Sequence, residues 1–125
     1  MHRVAVIAFD GIHSFDLAMP LQVFTTARSL EHGPGEERGR RLYDVRVCGN
    51  GRDIAVTGVG NVELYRYTPP YPMARAVDAD TVVVVGVDRE HHEPPVEALD
   101  LLREAHRRGT RIASISCGGA LALAA

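Results

Sequence analysis

Cys117 and Asp16 are the two residues whose type and setting can do chemistry in this sequence. Cys117 lies in Ser114-Ile115-Ser116-Cys117-Gly118-Gly119-Ala120, an apolar strand that runs straight into a small-residue helix. A nucleophile on such a strand-to-helix turn projects from the carboxyl end of a sheet, and small neighbours let the backbone bend sharply. The start of the following helix supplies unpaired N–H groups and a positive dipole end, which favour thiolate over thiol. A buried structural cysteine is the plainer alternative, since free cysteine is among the most buried residue types. The two glycines behind Cys117 weigh for the functional one.

Asp16 follows the first apolar run, near the start of the first helix. As an N-cap it would satisfy exposed helix donors, which alone accounts for an acidic residue there. In a parallel sheet, however, the loops holding Asp16 and Cys117 both emerge at the strands' carboxyl ends, where sites form. A carboxyl group held near a thiolate feels like-charge repulsion and can stay protonated, ready to donate a hydrogen bond or a proton.

Other residues carry less. His91-His92-Glu93 has no matching distant ligands, so loop residues in solvent are expected and no metal site. Gly49-Asn50-Gly51 follows a strand, but Ile54 takes the place of a third glycine and no helix follows, so it reads as a turn and not a dinucleotide fingerprint. Cys48 ends a strand with no base nearby and reads as a small hydrophobe. Arg107-Arg108 and the group Arg38, Arg40 and Arg41 read as solvated faces.

The elements that must position Cys117 and Asp16 follow from the apolar pattern. Val4–Phe9 and Thr81–Val85 are continuous apolar runs of strand length, as expected of strands buried on both sides of a parallel sheet. From about Asp16 to Leu30, Leu17, Leu21, Phe24 and Ala27 recur at helical spacing, with Pro20 tolerable only in an early turn. Glu31–Arg41 is a charged, Gly/Pro-rich loop. Tyr43–Cys48 alternates like a half-buried strand, and Ile54–Thr68 reads as a hairpin turning near Gly58, Gly60 and Asn61. Pro94–Arg108 is an amphipathic helix with Val96, Leu99, Leu102 and Ala105 on one face and Gly109 as its stop. Ile112–Ser116 is a further strand, and Gly118–Ala125 begins an apolar helix. This alternation predicts an α/β domain with a parallel sheet covered by helices on both faces.

At 125 residues the chain is sized for one domain. A formal net charge of −2 gives no electrostatic reason for this segment to bind nucleic acid or an anionic membrane. All 14 basic residues are arginine, to which no physical demand is attached. Two cysteines make no disulfide framework, and no apolar run approaches the roughly 20 residues of a membrane span. A reducing cytoplasm is the expected compartment. The terminal ALALAA is apolar all round and needs neighbours on several sides, which leads us to expect residues 1–125 to be the N-terminal portion of a longer domain.

Three stretches resemble the ThiJ/PfpI superfamily of class I glutamine-amidotransferase-like folds. More narrowly, they resemble the N-terminal sensor domain of GlxA-type regulators of the AraC family. Phe15-Asp16-Leu17-Ala18-Met19-Pro20-Leu21-Gln22-Val23-Phe24 is similar to D-L-A-G-P-x-E-V-F. Ala79-Asp80-Thr81 through Gly86-Val87-Asp88 is similar to the family's strand ending in Pro-Gly-Gly or Pro-Gly-Val. Arg111–Ala125 is similar to R-I-A-S-I-C-T-G-A-F-x-L-A. The sequence departs from these patterns at Met19 for glycine, Gln22 for glutamate and Val85 for proline. Counting forward from Gly109 puts Ser116 at the family's cysteine position. Counting back from the helix puts Cys117 there and keeps Leu121 and Leu123 in register, which helix packing favours. Gly118 then stands where enzymatic members often place a hydroxyl.

The resemblance implies a flavodoxin-like three-layer sandwich cut after the cysteine elbow, in a homodimer. It also implies a domain that binds a small molecule around Asp16, Gly86, Val87, Cys117 and Gly118, with no cofactor. Nothing in the sequence supplies a recognition helix, so any DNA contact is expected beyond Ala125. The alternative is a cysteine-dependent enzyme resembling isonitrile hydratases. Cys117 would then be the nucleophile and Asp16 the general acid and base, with N–H groups of Gly118 and near Gly86 stabilising negative charge. A third reading is a redox-responsive module in which Cys117 is oxidised.

Overall fold

The computed structural model describes residues 1–31, 33–87 and 93–117. Its centre is strand β1 (His2–Ile7), whose Val4, Val6 and Ile7 are fully buried. The hairpin that follows later in the chain packs beside a short strand β2 (Ile12–His13). Strands β3 (Tyr43–Gly49), β4 (Ile54–Thr57), β5 (Glu63–Tyr67), β6 (Tyr71–Pro72), β7 (Thr81–Val84) and β8 (Arg111–Ser114) complete the set. Five of them form one sheet in the order β6-β3-β1-β7-β8, and every pairing in it is parallel. The apolar runs are therefore buried from both sides, as their lack of alternation requires.

Helix α1 (Ser14–Thr26) packs on β1 and β3. It lies on the sheet face of Tyr43, whose ring meets Phe24 edge-on at 4.9 Å between centroids. The opposite face is taken by a 3-10 segment, Met73–Asp78, against which helix α2 (Val96–Arg107) packs. Helices thus cover both faces of a parallel sheet, the architecture expected from the alternation of elements.

Three details differ from the sequence reading. Helix α1 starts two residues earlier than Asp16 and stops at Thr26 instead of Leu30. Pro20 consequently falls in the second turn, where its missing N–H would have met the Asp16 carbonyl. The early stop has a cause at each side. Thr26 returns its hydroxyl to the Gln22 carbonyl at 2.6 Å, a local bond that competes with helix continuation. Beyond it, Arg28 pairs with Arg41 and the Ser29 N–H donates to the Arg40 carbonyl at 2.9 Å, drawing the chain into an extended ladder. On α2 the buried stripe is Ala98, Leu101, Leu102 and Ala105, whereas Val96 is 67% exposed. Helix α2 is closed by Gly109, two residues past its end, whose φ of 74° only glycine adopts cheaply. The Gly109 N–H donates to the His106 carbonyl and the Thr110 N–H to that of Ala105, the paired bonds of a glycine-closed helix end.

The hairpin forms as expected. β4 and β5 pair antiparallel through Val59–Asn61, with a register shift between Val56 and Thr57. β4 also pairs parallel with β2, giving a second, three-stranded sheet. This small sheet fixes the loop between β1 and α1. Asp10 Oδ1 accepts the Ala55 N–H at 2.8 Å, and the Gly11 N–H donates to the Ala55 carbonyl at 2.9 Å. The buried Thr57 hydroxyl lies 3.2 and 3.3 Å from the Gly11 and Ile12 carbonyls. The helix expected over Gly118–Ala125 lies outside the described residues. No described helix is long and apolar enough to cross a membrane.

Candidate functional site

Three strands end level with one another. Ile7 is in register with Val84, and Val84 with Ser114. Because the strands are parallel, the chain leaves all three at the same edge of the sheet, which brings residues distant in sequence together. The Ile115 N–H extends the ladder to the Val84 carbonyl at 2.9 Å, and the His13 N–H donates to the Gly86 carbonyl at 2.9 Å.

Gly86 is the point on which the side chains converge. A Cβ there would lie 2.2 Å from Asp16 Oδ2, 3.1 Å from His13 Nδ1 and 3.2 Å from Cys117 Sγ. The carboxyl, the imidazole and the thiol therefore surround one backbone atom that only a residue without a side chain leaves open to them. Asp16 is 7% exposed, and its Oδ2 has no hydrogen-bond partner among the described residues. It is the third residue of α1 and not the N-cap. His13 holds the cap position in extended conformation, with no side-chain capping bond. A carboxylate in the first helical turn meets the positive end of the helix dipole, which favours its presence there.

Cys117 is half-buried, and its Sγ donates to the Val87 carbonyl at 3.4 Å. Of the residues expected at a ligand site, the structure brings together Asp16, Gly86 and Cys117. Val87 contributes its carbonyl, while the residue itself is buried. Gly118 lies outside the described residues. His13 was not singled out from the sequence. The available signal was its position three residues before Asp16 at the mouth of the first helix, where both side chains share a face.

The sharp backbone expected at Cys117 falls one residue earlier. Ser116 has φ of 55°, a left-handed conformation that is unfavourable for a residue with a side chain. Ser116 is also the residue that ungapped counting from Gly109 aligns with the family cysteine, whereas Cys117 is the one that carries sulfur into the cluster. Ser116→Val is expected to lower unfolding free energy by about 1–3 kcal/mol, since a branched side chain resists this geometry. Ser116→Gly is expected to cost nothing. Urea denaturation of both variants checks this, and a Ser116→Val protein as stable as wild type would contradict it.

The other candidates behave as surface or core residues. Cys48 is fully buried at the end of β3, and burial pushes its thiol up to about 11, against a smaller opposing pull from Arg46. Asn50 closes a turn by accepting the Arg52 N–H on its side chain at 3.2 Å, with Gly51 at φ 80°. Arg107 and Arg108 both donate to Glu104, which holds its carboxyl well below the usual range. His91 and His92 lie outside the described residues. Among the described residues no group of three or more His, Cys, Asp or Glu is placed to hold a metal ion.

The chain matches no family model and no curated protein. Solved structures do match it. DJ-1beta of Drosophila melanogaster superposes with a TM-score of 0.68 at 21% identity, over 98% of this chain and 59% of that one. An AraC-family transcriptional regulator from Pseudomonas putida gives a TM-score of 0.68 at 20% identity, over 99% of this chain and 69% of the regulator. A ThiJ/PfpI family protein from Bacillus anthracis gives 0.62 at 15% identity, over 90% and 49%. The chain thus spans less than two-thirds of the Drosophila and Bacillus proteins.

Proposed function

Because the chain has the fold of the DJ-1/ThiJ/PfpI proteins, we propose that it is the ligand-sensing domain of an AraC-family transcriptional regulator. In this reading it acts in the cytoplasm as a homodimer and controls transcription through a helix-turn-helix region beyond Ala125. The observation that carries the reading is the cluster around Gly86. A buried carboxyl oxygen with no hydrogen-bond partner among the described residues faces the Cys117 sulfur, which lies 3.4 Å from the Val87 carbonyl. An unsatisfied buried acceptor favours a ligand that brings a donor to it. The likeness to a regulator across almost the whole chain supports the same reading.

A second reading has its own observation. Left-handed backbone at Ser116, beside a thiol and a carboxyl, is the kind of strain that collects at active sites. It favours a cysteine-dependent hydratase in which Cys117 attacks an electrophilic carbon and Asp16 transfers the proton.

The deciding experiment uses the whole product of the gene that encodes this chain. For the sensor, its binding to its own promoter DNA, followed by fluorescence anisotropy, is expected to be sequence-specific and to weaken steeply with salt. Cys117→Ser is expected to keep that binding while altering its response to small molecules. Absence of specific DNA binding, together with Cys117-dependent hydration of an isonitrile, would sink the sensor and establish the enzyme.

A further inference from the structure

We propose that His13 is the proton-accepting partner of Cys117, held in place by Asp16. The proposal rests on reading the Gly86 cluster as the ligand site. His13 Nδ1 and Cys117 Sγ both lie within 3.2 Å of the same point above Gly86, so they are separated by no more than twice that distance. His13 Nδ1 is 3.6 Å from Asp16 Oδ2. That is too long for a hydrogen bond but close enough for the carboxylate to orient the ring. Nδ1 is thus the ring nitrogen that faces both the carboxylate and the thiol, and with no hydrogen bond to Asp16 it is free to accept a proton.

The backbone holds this arrangement without help from the ligand. The His13 N–H is bonded to the Gly86 carbonyl, and His13 is in register with Thr57 of β4. The side chain is 35% exposed, so the imidazole connects the buried carboxyl to solvent. Among the described residues the titratable groups facing it are Asp16 and Cys117. Thr57 and Gly86, which also adjoin it, carry no charge. Asp16 alone is poorly suited to take the thiol proton, because its own oxygen is buried and closed over by Gly86. An imidazole reaching solvent can accept that proton and release it again.

The expected step conserves every atom. As the sulfur attacks carbon, the S–H proton leaves the Val87 carbonyl and passes to the imidazole, directly or through one water. The sulfur–carbon bond forms as the carbon's leaving group departs with its electron pair. Iodoacetamide provides this step as a probe, with iodide as the leaving group.

The test is the alkylation rate of Cys117 against that of Cys48, measured by mass spectrometry on the full chain across about pH 6–8. In wild type Cys117 is expected to react while buried Cys48 does not. His13→Gln is expected to slow Cys117 about tenfold at neutral pH and to flatten its pH profile. Added imidazole is expected to restore the rate in His13→Ala, a rescue that a merely structural role would not give. Continued protection of Cys48 reports that the fold is intact; if His13→Gln exposes Cys48, His13→Asn takes its place in the comparison. An unchanged rate and profile in the His13 variant overturns the proposal and leaves the Cys117 site standing. A wild-type Cys117 no faster than Cys48 overturns both.

Discussion

Gly86→Ala is expected to lower the unfolding free energy by about 1–3 kcal/mol, the usual cost of overpacking a closed site. The new methyl carbon would sit 2.2 Å from Asp16 Oδ2, well inside contact distance, and crowd His13 and Cys117 as well. Backbone torsion has no part in this cost, since Gly86 is not among the residues with positive φ. Asp16 has to yield, and because it is 7% exposed it cannot swing aside without disturbing the start of α1. The double variant Gly86→Ala/Asp16→Ala is therefore expected to recover much of the loss, making the two substitutions strongly non-additive. A denaturation cycle over the four proteins measures the coupling. Simple additivity would show that the carboxyl does not occupy the space over Gly86.

The second large effect lies at alkaline pH. The Cys48 thiol is held at about 11 by burial, against 9.0 for the free group. Between those values the unfolded chain has released the proton and the folded chain still holds it. The unfolded state then binds fewer protons, so stability falls as pH rises. The contribution is fully present below about pH 9 and is lost progressively up to about pH 11. A two-unit difference corresponds to roughly 3 kcal/mol. Tyr67, whose phenol is also raised by burial, adds a decline of the same sign. Cys48→Ala removes the thiol contribution alone. The stability difference between wild type and Cys48→Ala is accordingly expected to shift by roughly 2 kcal/mol between pH 9 and 11, as read by urea midpoints. A constant difference would mean that Cys48 titrates as a free thiol.

Much of the scaffold was legible because its signals are local. The uninterrupted runs at Val4 and at Thr81–Val85 announce strands buried on both sides, and Gly109 marks the end of α2. Boundaries were less legible where local and distant bonds compete. The periodicity of Leu17, Leu21, Phe24 and Ala27 runs on past Thr26, yet pairing of Arg28 with Arg41 ends the helix there. Val96 fits the apolar face of α2 by spacing but is exposed; the stripe that the helix buries is centred on Ala98, Leu101 and Leu102, and it packs on both Met73–Asp78 and β8.

The site divides in the same way. By itself the sequence determined that Asp16 and Cys117 follow strands of a parallel sheet, and so must emerge at one edge of it; that depends only on strand direction. Only the tertiary structure decided that Gly86 is the surface they share, that His13 joins them, and that the left-handed residue is Ser116 while the sulfur belongs to Cys117. Those facts depend on distances of a few ångströms between loops some 30 to 100 residues apart in the chain. No periodicity or propensity encodes such distances, because they are set by how the strands align and how the small β4–β5 sheet pins the loop before α1.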